Sequence, residues 1–200
     1  MRKILLLNQL VLLTLFSCIS QENEVRFEKD GSFYIYAIIN DSIEGRFILD
    51  TGASGLYLDS TFVERHGSII KSNPDTASMR GAGATDYRQV LLVKDTVKIT
   101  VGSYNHNFTV SPILKLTDMN GENIAGIIGN KFIKNKILII DNERSILKID
   151  SVINPGKYNT IIPFKYIDER IYFPVELNIR GNQTITANLL MDLGCADAVI

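Results

Sequence analysis

One short pattern occurs twice in this chain of 200 residues, and each copy places an aspartate in a turn. Residues 47–53 read Phe-Ile-Leu-Asp-Thr-Gly-Ala, and residues 189–195 read Leu-Leu-Met-Asp-Leu-Gly-Cys. In both copies an apolar run, typical of a short buried strand, leads into an Asp-x-Gly turn. The strand-like segments that precede them, residues 33–40 and 171–178, also match each other. Internal repetition of this kind predicts two related lobes with equivalent turns that face each other.

The rest of the sequence has the composition of a β-protein. β-branched and aromatic residues are concentrated in short runs separated by turn residues, which predicts strands. These runs are residues 33–39, 45–49, 87–94, 97–101, 107–110, 137–140 and 145–149. A single short helix is predicted from Thr61 to His66, because Thr61 and Glu64 have the spacing of a capping box.

These patterns predict a mostly β fold. Residues 24–150 are predicted to form a barrel-like first lobe, and residues 151–200 the beginning of a second, incomplete lobe. The Asn-Pro-Gly sequence at residues 154–156 marks the expected boundary. The second lobe would stop eight residues after Asp192, so we expect a fragment or the product of a truncated gene.

Charge and metal-ligand content exclude several classes of function. The chain is 46% apolar and 22% charged, its net charge is −1, and no run of Lys and Arg stands out. Nucleic acid is therefore not an expected partner. His66 and His106 lie on separate segments without a Cys/His cluster, so no metal site is predicted.

The first twenty residues predict export. Arg2 and Lys3 precede an apolar run, residues 4–16, that is too short to span a membrane as a helix. Residues 15–18, Leu-Phe-Ser-Cys, resemble a bacterial lipobox, in which Cys18 becomes the lipid-modified N-terminus. Ordinary cleavage near Ser20 is the alternative. We expect a lipid-anchored protein of the bacterial cell envelope, on its periplasmic or outer face, that contacts the membrane only through this anchor.

The chain resembles the pepsin and retropepsin clan of aspartic proteases, and in particular the bacterial two-lobed aspartyl proteases. Residues 47–54 match the clan's hydrophobic-hydrophobic-Asp-Thr-Gly pattern. Residues 125–133, Ala-Gly-Ile-Ile-Gly-Asn-Lys-Phe-Ile, resemble the element that threads beside the catalytic loop in that clan. Residues 192–194, Asp-Leu-Gly, resemble the loop of a second lobe, and residues 80–85 lie where the family has its flap.

This resemblance implies an aspartic endopeptidase that activates water with two carboxylates, Asp50 and Asp192. It implies that the Thr51 hydroxyl ties the two catalytic loops together, while Gly52 and Gly194 support the tight loops. The tip of the flap, formed by Gly81, Ala82 and Gly83, would contact a peptide or protein substrate. Two carboxylates that share one proton can supply both acid and base, so no metal or other cofactor is required.

The sequence also departs from the family pattern. Leu193 stands where the family has a second threonine, so half of the hydroxyl link between the loops is absent. Ala53 replaces the Ser or Thr of pepsins, which removes a hydroxyl that favours the charged aspartate and should shift activity toward milder acidity. Ser54 has no histidine partner, so a serine nucleophile is not predicted.

Two alternatives to a single-chain dyad remain open from the sequence. One is a non-catalytic lipoprotein in which the lobe binds a peptide or a partner protein, favoured by Leu193 and by the missing part of the second lobe. The other is a retropepsin-like homodimer that uses Asp50 from each chain.

Overall fold

The regular secondary structure of the described residues is mostly β-strand. The computed structural model describes residues 24–81, 85–116, 123–152, 159–180 and 183–195. These ranges contain fifteen strands, one short α-helix and two 3-10 helices. The helix α1 is Ser60–Arg65, and the 3-10 helices are Gly67–Ile69 and Asn130–Ile133. The predicted mostly β fold is confirmed, although the strands do not close into a barrel.

Twelve strands belong to one sheet. They are β1 (Glu24–Asp30), β2 (Ser32–Ile39), β3 (Ile43–Leu49), β4 (Leu56–Asp59), β5 (Asp75–Met79), β6 (Arg88–Val93), β7 (Val97–Val101), β8 (Tyr104–Phe108), β9 (Ser111–Leu114), β10 (Ile124–Ile128), β11 (Ile137–Asp141) and β12 (Ile146–Asp150). The main path through the sheet is β11-β12-β1-β2-β3-β10-β4-β9-β6-β5, and β7 pairs with β2 and β8. The strands β3 and β10 therefore lie at the centre, and the turn after β3 leaves from the middle of the sheet.

The central position of β3 in the sheet explains why the residues before Asp50 are apolar. Strand β3 pairs antiparallel with β2 along one edge and parallel with β10 along the other, so both of its edges are hydrogen-bonded. Phe47 and Leu49 are at most 2% exposed, as expected for a central strand with a continuous apolar sequence. Gly126 of β10 lies directly against the backbone of Tyr57, where a Cβ atom would collide with the carbonyl oxygen.

The larger of two hydrophobic clusters supports these central strands. Its members come from most strands of the large sheet and from α1, and several are completely buried. Among its fully buried side chains are Phe47, Leu49, Leu56, Leu58, Ile128 and Phe132. Burial of each such side chain contributes on the order of 1.5–3 kcal/mol to folding. The turn that carries Asp50 therefore follows a strand that is anchored in this core.

The strands β5 and β6 form the hairpin from which the expected flap extends. They pair antiparallel from Asp75 opposite Leu92 to Met79 opposite Arg88. Gly81 follows this hairpin arm and is exposed, whereas Ala82 and Gly83 lie outside the described residues. The hairpin leads to the residues at which the resemblance places a flap, and both the flap and the contact of its tip with substrate stay predictions.

A second, separate sheet contains the last three described strands. They are β13 (Lys165–Ile167), β14 (Arg170–Ile179) and β15 (Gln183–Leu190), arranged antiparallel in that order. Asp168 and Glu169 form the tight turn between β13 and β14, both with positive φ values (49° and 61°) that suit a two-residue hairpin. The expected boundary at residues 154–156 and the turn at residues 181–182 lie outside the described residues, and the division into two lobes stays a prediction.

Two local details differ from the sequence prediction. Helix α1 begins one residue before Thr61, and its N-cap is the buried Asp59, whose Oδ1 accepts a hydrogen bond from the Phe62 amide at 3.0 Å. The strand predicted at residues 107–110 is instead β8, Tyr104–Phe108, because it pairs with β7 across the turn at residues 102–103. Strand β8 has only five residues, so the alternation of its side chains between more and less buried positions is short. The sequence pattern therefore predicted the bounds of this strand poorly.

The described residues contain no helix long and apolar enough to cross a membrane. Residues 1–23, including Cys18, lie outside the described part of the chain, so the export signal and the lipid anchor stay predictions.

We predict that Asp59→Ala lowers the free energy of unfolding by about 2–4 kcal/mol, because it removes a helix cap and leaves buried amides without a partner. Besides capping α1, Asp59 accepts a hydrogen bond from the Leu116 amide through Oδ2 at 2.9 Å. Urea unfolding followed by circular dichroism measures this loss.

Asp95→Ala is the matched control for this experiment. Asp95 also accepts two backbone hydrogen bonds, from Lys71 and Ser72, but at an exposed position where water can replace it. Its loss of stability should be clearly smaller, and equal losses for the two variants would contradict the role of burial at Asp59.

Candidate active site

The first predicted catalytic residue, Asp50, lies at the tip of the loop that follows β3. Its amide donates to the Ile128 carbonyl at 3.0 Å, which continues the parallel pairing of β3 with β10. Its carboxylate turns back onto the loop, where Oδ1 accepts from the Gly52 amide at 2.6 Å and from the Ala53 amide at 3.0 Å. Two amide donors on one oxygen fix the orientation of the carboxylate and favour its charged form.

The segment after β10 holds the same loop from beneath. The amides of Gly129, Asn130 and Lys131 donate to carbonyls of Gly55, Ala53 and Ser54, each at 2.9 Å. The Asn130 side chain adds a hydrogen bond from Nδ2 to the Thr51 carbonyl at 2.5 Å. Residues 127–130 therefore thread beside the loop of Asp50, as the resemblance implies.

The second predicted catalytic residue, Asp192, lies in the segment that follows β15. The amide of Met191 donates to the Ile171 carbonyl at 2.9 Å, which keeps the start of this loop on β14. The Gly194 amide donates to Asp192 Oδ1 at 2.9 Å. This contact repeats the one between Gly52 and Asp50, so the two loops share a local geometry as well as a sequence pattern.

The two aspartates lie side by side, with a glycine of each loop packed against the opposite carboxylate. A Cβ atom on Gly52 would lie 2.6 Å from Asp192 Oδ2, and one on Gly194 would lie 2.5 Å from Asp50 Cγ. The carboxylates are close enough to hydrogen-bond to each other. Both glycines are therefore required by the close approach of the loops, because any side chain at either position would push the carboxylates apart.

This environment changes the proton affinity of Asp50. Burial, the charge of Asp192 and a hydrogen bond between the two carboxyl groups, in decreasing order of effect, together raise the pKa of Asp50 from its ordinary 3.8 to about 6. The amides of Gly52 and Ala53 act in the opposite direction and lower it. Asp50 is thus the carboxyl group that keeps a proton in mildly acidic solution.

A single hydroxyl group joins the two loops. Thr51 Oγ1 donates to the Met191 carbonyl at 2.8 Å and accepts from the Leu193 amide at 3.0 Å. Thr51 is only 1% exposed, so water cannot replace these bonds. The hydroxyl therefore fixes the backbone on both sides of Asp192, which is the link that the resemblance implies for Thr51.

The reciprocal link uses different groups, because Leu193 has no hydroxyl. Ser32 Oγ donates to the Gly194 carbonyl at 2.7 Å, and the Phe33 amide donates to the Leu193 carbonyl at 3.3 Å. The Leu193 side chain itself packs against the hydrophobic core of the large sheet. The missing second threonine is therefore offset by the start of β2 and by an apolar contact.

Sequence reasoning missed three residues that support the site: Ser32, Asn130 and Arg170. Arg170 donates from Nε to the Gly52 carbonyl at 2.7 Å. Asn130 had a local signal, since it directly follows the Ile-Ile-Gly element at residues 127–129. Ser32 and Arg170 had none, because 162 and 118 residues separate them from the partners that give them a role.

The other residues considered from the sequence lie away from the two carboxylates. The Ser54 hydroxyl is 3.3 Å from the hydroxyl of Tyr57. His66 and His106 pack against the rings of Phe62 and Phe108, with centroid distances of 4.6 Å and 4.7 Å. These contacts agree with histidines that have a packing role.

An apolar cavity of about 680 Å3 lies behind the Thr51 link, between the two sheets. Ile137 and Leu138 of the large sheet line one side, and Phe164 and Tyr166 line the other. Thr51 and Met191 lie at its end nearest the carboxylates. The two sheets are thus joined at the loops, while the space behind the loops is not filled by side chains of the described residues.

We predict that Thr51→Val lowers the free energy of unfolding by about 2–4 kcal/mol, because valine keeps the shape but leaves the Met191 carbonyl and the Leu193 amide without their partner. Urea unfolding measures the loss, and amide hydrogen exchange should show faster exchange at Leu193.

Thr51→Ser is the control, since serine keeps the hydroxyl and should keep the slow exchange of the Leu193 amide. If the valine and serine variants exchange at the same rate, the hydroxyl does not hold the second loop.

The chain is similar to known proteins over part of its length. No curated protein matches the chain. Among solved structures it is similar to a retropepsin-like aspartic protease from Rickettsia conorii, with 19% identity over 63% of this chain and 87% of that one and a TM-score of 0.43. Residues 35–132 match a family model described as aspartyl protease, a range that includes the Asp50 loop and the segment after β10 but ends before Asp192. The part of the chain that carries Asp50 therefore resembles the pepsin and retropepsin clan of aspartic proteases.

Proposed function

We propose that this chain is an aspartic endopeptidase that hydrolyses peptide bonds with water activated by Asp50 and Asp192. The observation that carries the proposal is the close approach of two carboxyl groups from two similar loops, each packed against the glycine of the other loop. Carboxyl groups this close cannot both ionise at low cost, so one keeps its proton while the other is charged. One pair of residues can then supply a general acid and a general base at the same pH.

The environment of each aspartate suggests its role. The raised pKa of Asp50 makes it the proton donor, and the more exposed Asp192 is the carboxylate that takes a proton from water. As the water oxygen bonds to the peptide carbon, its proton moves to Asp192 and the Asp50 proton moves to the peptide oxygen. The C–N bond of the tetrahedral intermediate then breaks. Asp192 gives its proton to the leaving amine, and Asp50 recovers its proton from the hydroxyl group as the new acid forms.

We propose an extended peptide segment as the substrate. The hairpin of β5 and β6 lies at one edge of the large sheet and leads to Gly81, at the place where the resemblance implies a flap over a bound peptide. In this proposal Gly81, Ala82 and Gly83 contact the substrate backbone, because glycine-rich backbone can approach a ligand closely. An envelope location, as expected from residues 1–20, would make exported or extracellular proteins the source of the substrate.

The hydrogen bonds of Thr51 favour a dyad within one chain over a homodimer. Both bonds of its hydroxyl go to the loop of Asp192 in the same chain. A dimer that pairs two copies of Asp50 would require this loop to leave, which would expose the Met191 carbonyl and the Leu193 amide. The two arrangements are distinguished by Asp192, which only the single-chain dyad needs.

We predict that Asp50→Asn and Asp192→Asn each lower kcat/KM by about 10³-fold or more, because the amide can neither give nor take the shared proton. Cleavage of casein or a peptide library from about pH 3 to about pH 7 covers the range in which such a pair titrates. Asp41→Asn is the control, since Asp41 is exposed, pairs with Lys98 and has a positive φ that asparagine tolerates.

The outcomes separate the alternatives. Equal cleavage by wild type and Asp50→Asn would exclude a dyad at this site and leave the non-catalytic, peptide-binding alternative. Loss of cleavage in Asp50→Asn but not in Asp192→Asn would instead support a homodimer of Asp50 loops.

We predict that kcat/KM falls as the pH rises through about 6, because Asp50 then loses the proton that it donates to the peptide oxygen. Initial rates at low substrate concentration across this range measure the descending limb, which belongs to the pair of carboxyl groups as a whole. A profile confined to strongly acidic solution would contradict this assignment.

Stability provides an independent check of the same group. Because its pKa in the folded protein is raised from 3.8 to about 6, Asp50 contributes stability that is fully present below pH 3.8 and lost as the pH rises through 6. Asparagine does not ionise, so Asp50→Asn removes this loss of stability. The free energy of unfolding of the variant minus that of wild type should therefore be about 2–3 kcal/mol greater near pH 7 than near pH 4, as measured by urea unfolding. An equal difference at both pH values would contradict the raised pKa.

A further inference from the structure

The turn between β13 and β14 brings a cation from the second sheet to the loop of Asp50. Arg170 is the first residue of β14 and directly follows the tight turn at Asp168 and Glu169. It is partly buried, and its Nε donates to the Gly52 carbonyl at 2.7 Å. This distance is short for an N–H to carbonyl contact, as expected for a charged donor.

The carbonyl that Arg170 contacts belongs to a peptide group with a second role. The peptide between Gly52 and Ala53 presents its oxygen to Arg170 and its N–H to Asp50 Oδ1, at 3.0 Å. The two hydrogen bonds therefore lie in series, from the guanidinium through one peptide group to the carboxylate. A bond at the oxygen polarises the peptide and strengthens donation from its N–H by about 10–30%.

A neighbouring ion pair lies on the same turn at an exposed position. Glu169 Oε1 lies 2.9 Å from Lys134 Nζ, and Glu169 Oε2 accepts from the Tyr166 hydroxyl at 2.8 Å. Lys134 directly follows the 3-10 helix Asn130–Ile133. An exposed ion pair contributes little to the position of a turn, and of Arg170 and Glu169 it is Arg170 that contacts the loop of Asp50.

The groups that change the pKa of Asp50 come from two loops. Asp192, on the loop after β15, raises the pKa of Asp50, and the N–H groups of Gly52 and Ala53 lower it. Arg170 of β14 contacts the carbonyl oxygen of the peptide group whose N–H is the second of these donors. A charged donor at this oxygen would favour the charged form of the aspartate, as the hydroxyl that Ala53 lacks would.

We propose that Arg170 is a positioning residue of the catalytic loop. It fixes and polarises the peptide between Gly52 and Ala53, so that the Ala53 N–H stays directed at Asp50 Oδ1 and stabilises the charged carboxylate. This role rests on the proposed function only for its effect on catalysis; its effect on the proton affinity of Asp50 does not depend on cleavage.

The test compares Arg170→Met with Arg170→Lys and Lys134→Gln. Methionine removes the charge and the donor, so the descending limb of kcat/KM should move to higher pH by about 0.5 unit. Lysine keeps a charged donor and should remain closer to wild type. Lys134→Gln breaks the neighbouring ion pair without touching the peptide, so its profile should match wild type.

A spectroscopic titration gives the same quantity without an assay of activity. The carboxyl carbon of Asp50 can be followed by carbon-13 NMR and assigned by its absence in Asp50→Asn. Its midpoint should rise by about 0.5 unit in Arg170→Met. If that variant does not fold, Arg170→Gln, which keeps a neutral donor of similar length, should show a smaller rise in the same direction.

The outcomes distinguish this proposal from the proposed function. A wild-type midpoint in Arg170→Met, or an equal rise in Lys134→Gln, would overturn the positioning role, because the peptide contact would then have no effect of its own. A raised midpoint in a protein that cleaves no peptide would support the role of Arg170 and reject the endopeptidase.

Discussion

The buried hydroxyl of Thr51 is the contact on which the arrangement of the site depends. It satisfies one carbonyl and one amide on either side of Asp192, and both would otherwise be buried without a partner. Such groups cost about 1–3 kcal/mol each when unsatisfied, which is a large fraction of the stability of a small domain. The position of the second carboxylate is therefore determined by the first loop, and the site forms only when the two sheets meet.

The two aspartates occupy unlike surroundings in spite of their similar loops. The loop of Asp50 is enclosed by β10 and the segment after it, which provide hydrogen bonds from three successive amides. The loop of Asp192 is held by Ser32 and Phe33 of β2 and by Thr51 of the turn after β3. Asp50 is less exposed than Asp192, and burial is the largest cause of the raised pKa of Asp50.

Local patterns were sufficient to predict the strands that lead to the site, because a continuous apolar run such as residues 47–49 fits only a buried central strand. They also identified Asp50, Thr51 and the element at residues 127–129. They could not identify Ser32 or Arg170, since each acts on a backbone carbonyl and backbone carbonyls have no sequence pattern. The helix cap was misplaced for a related reason: Asp59 satisfies a distant amide, at Leu116, in addition to its own helix.

The cavity behind Thr51 has a consequence for how the site responds to ligands. Because the sheets enclose open space there, polar contacts at the loops supply much of the attachment of the three-stranded sheet. Attachment of this kind can open locally while the core of the large sheet stays folded. A molecule that binds both carboxylates would connect the two sheets. By thermodynamic linkage, such binding would stabilise the attached state of the smaller sheet.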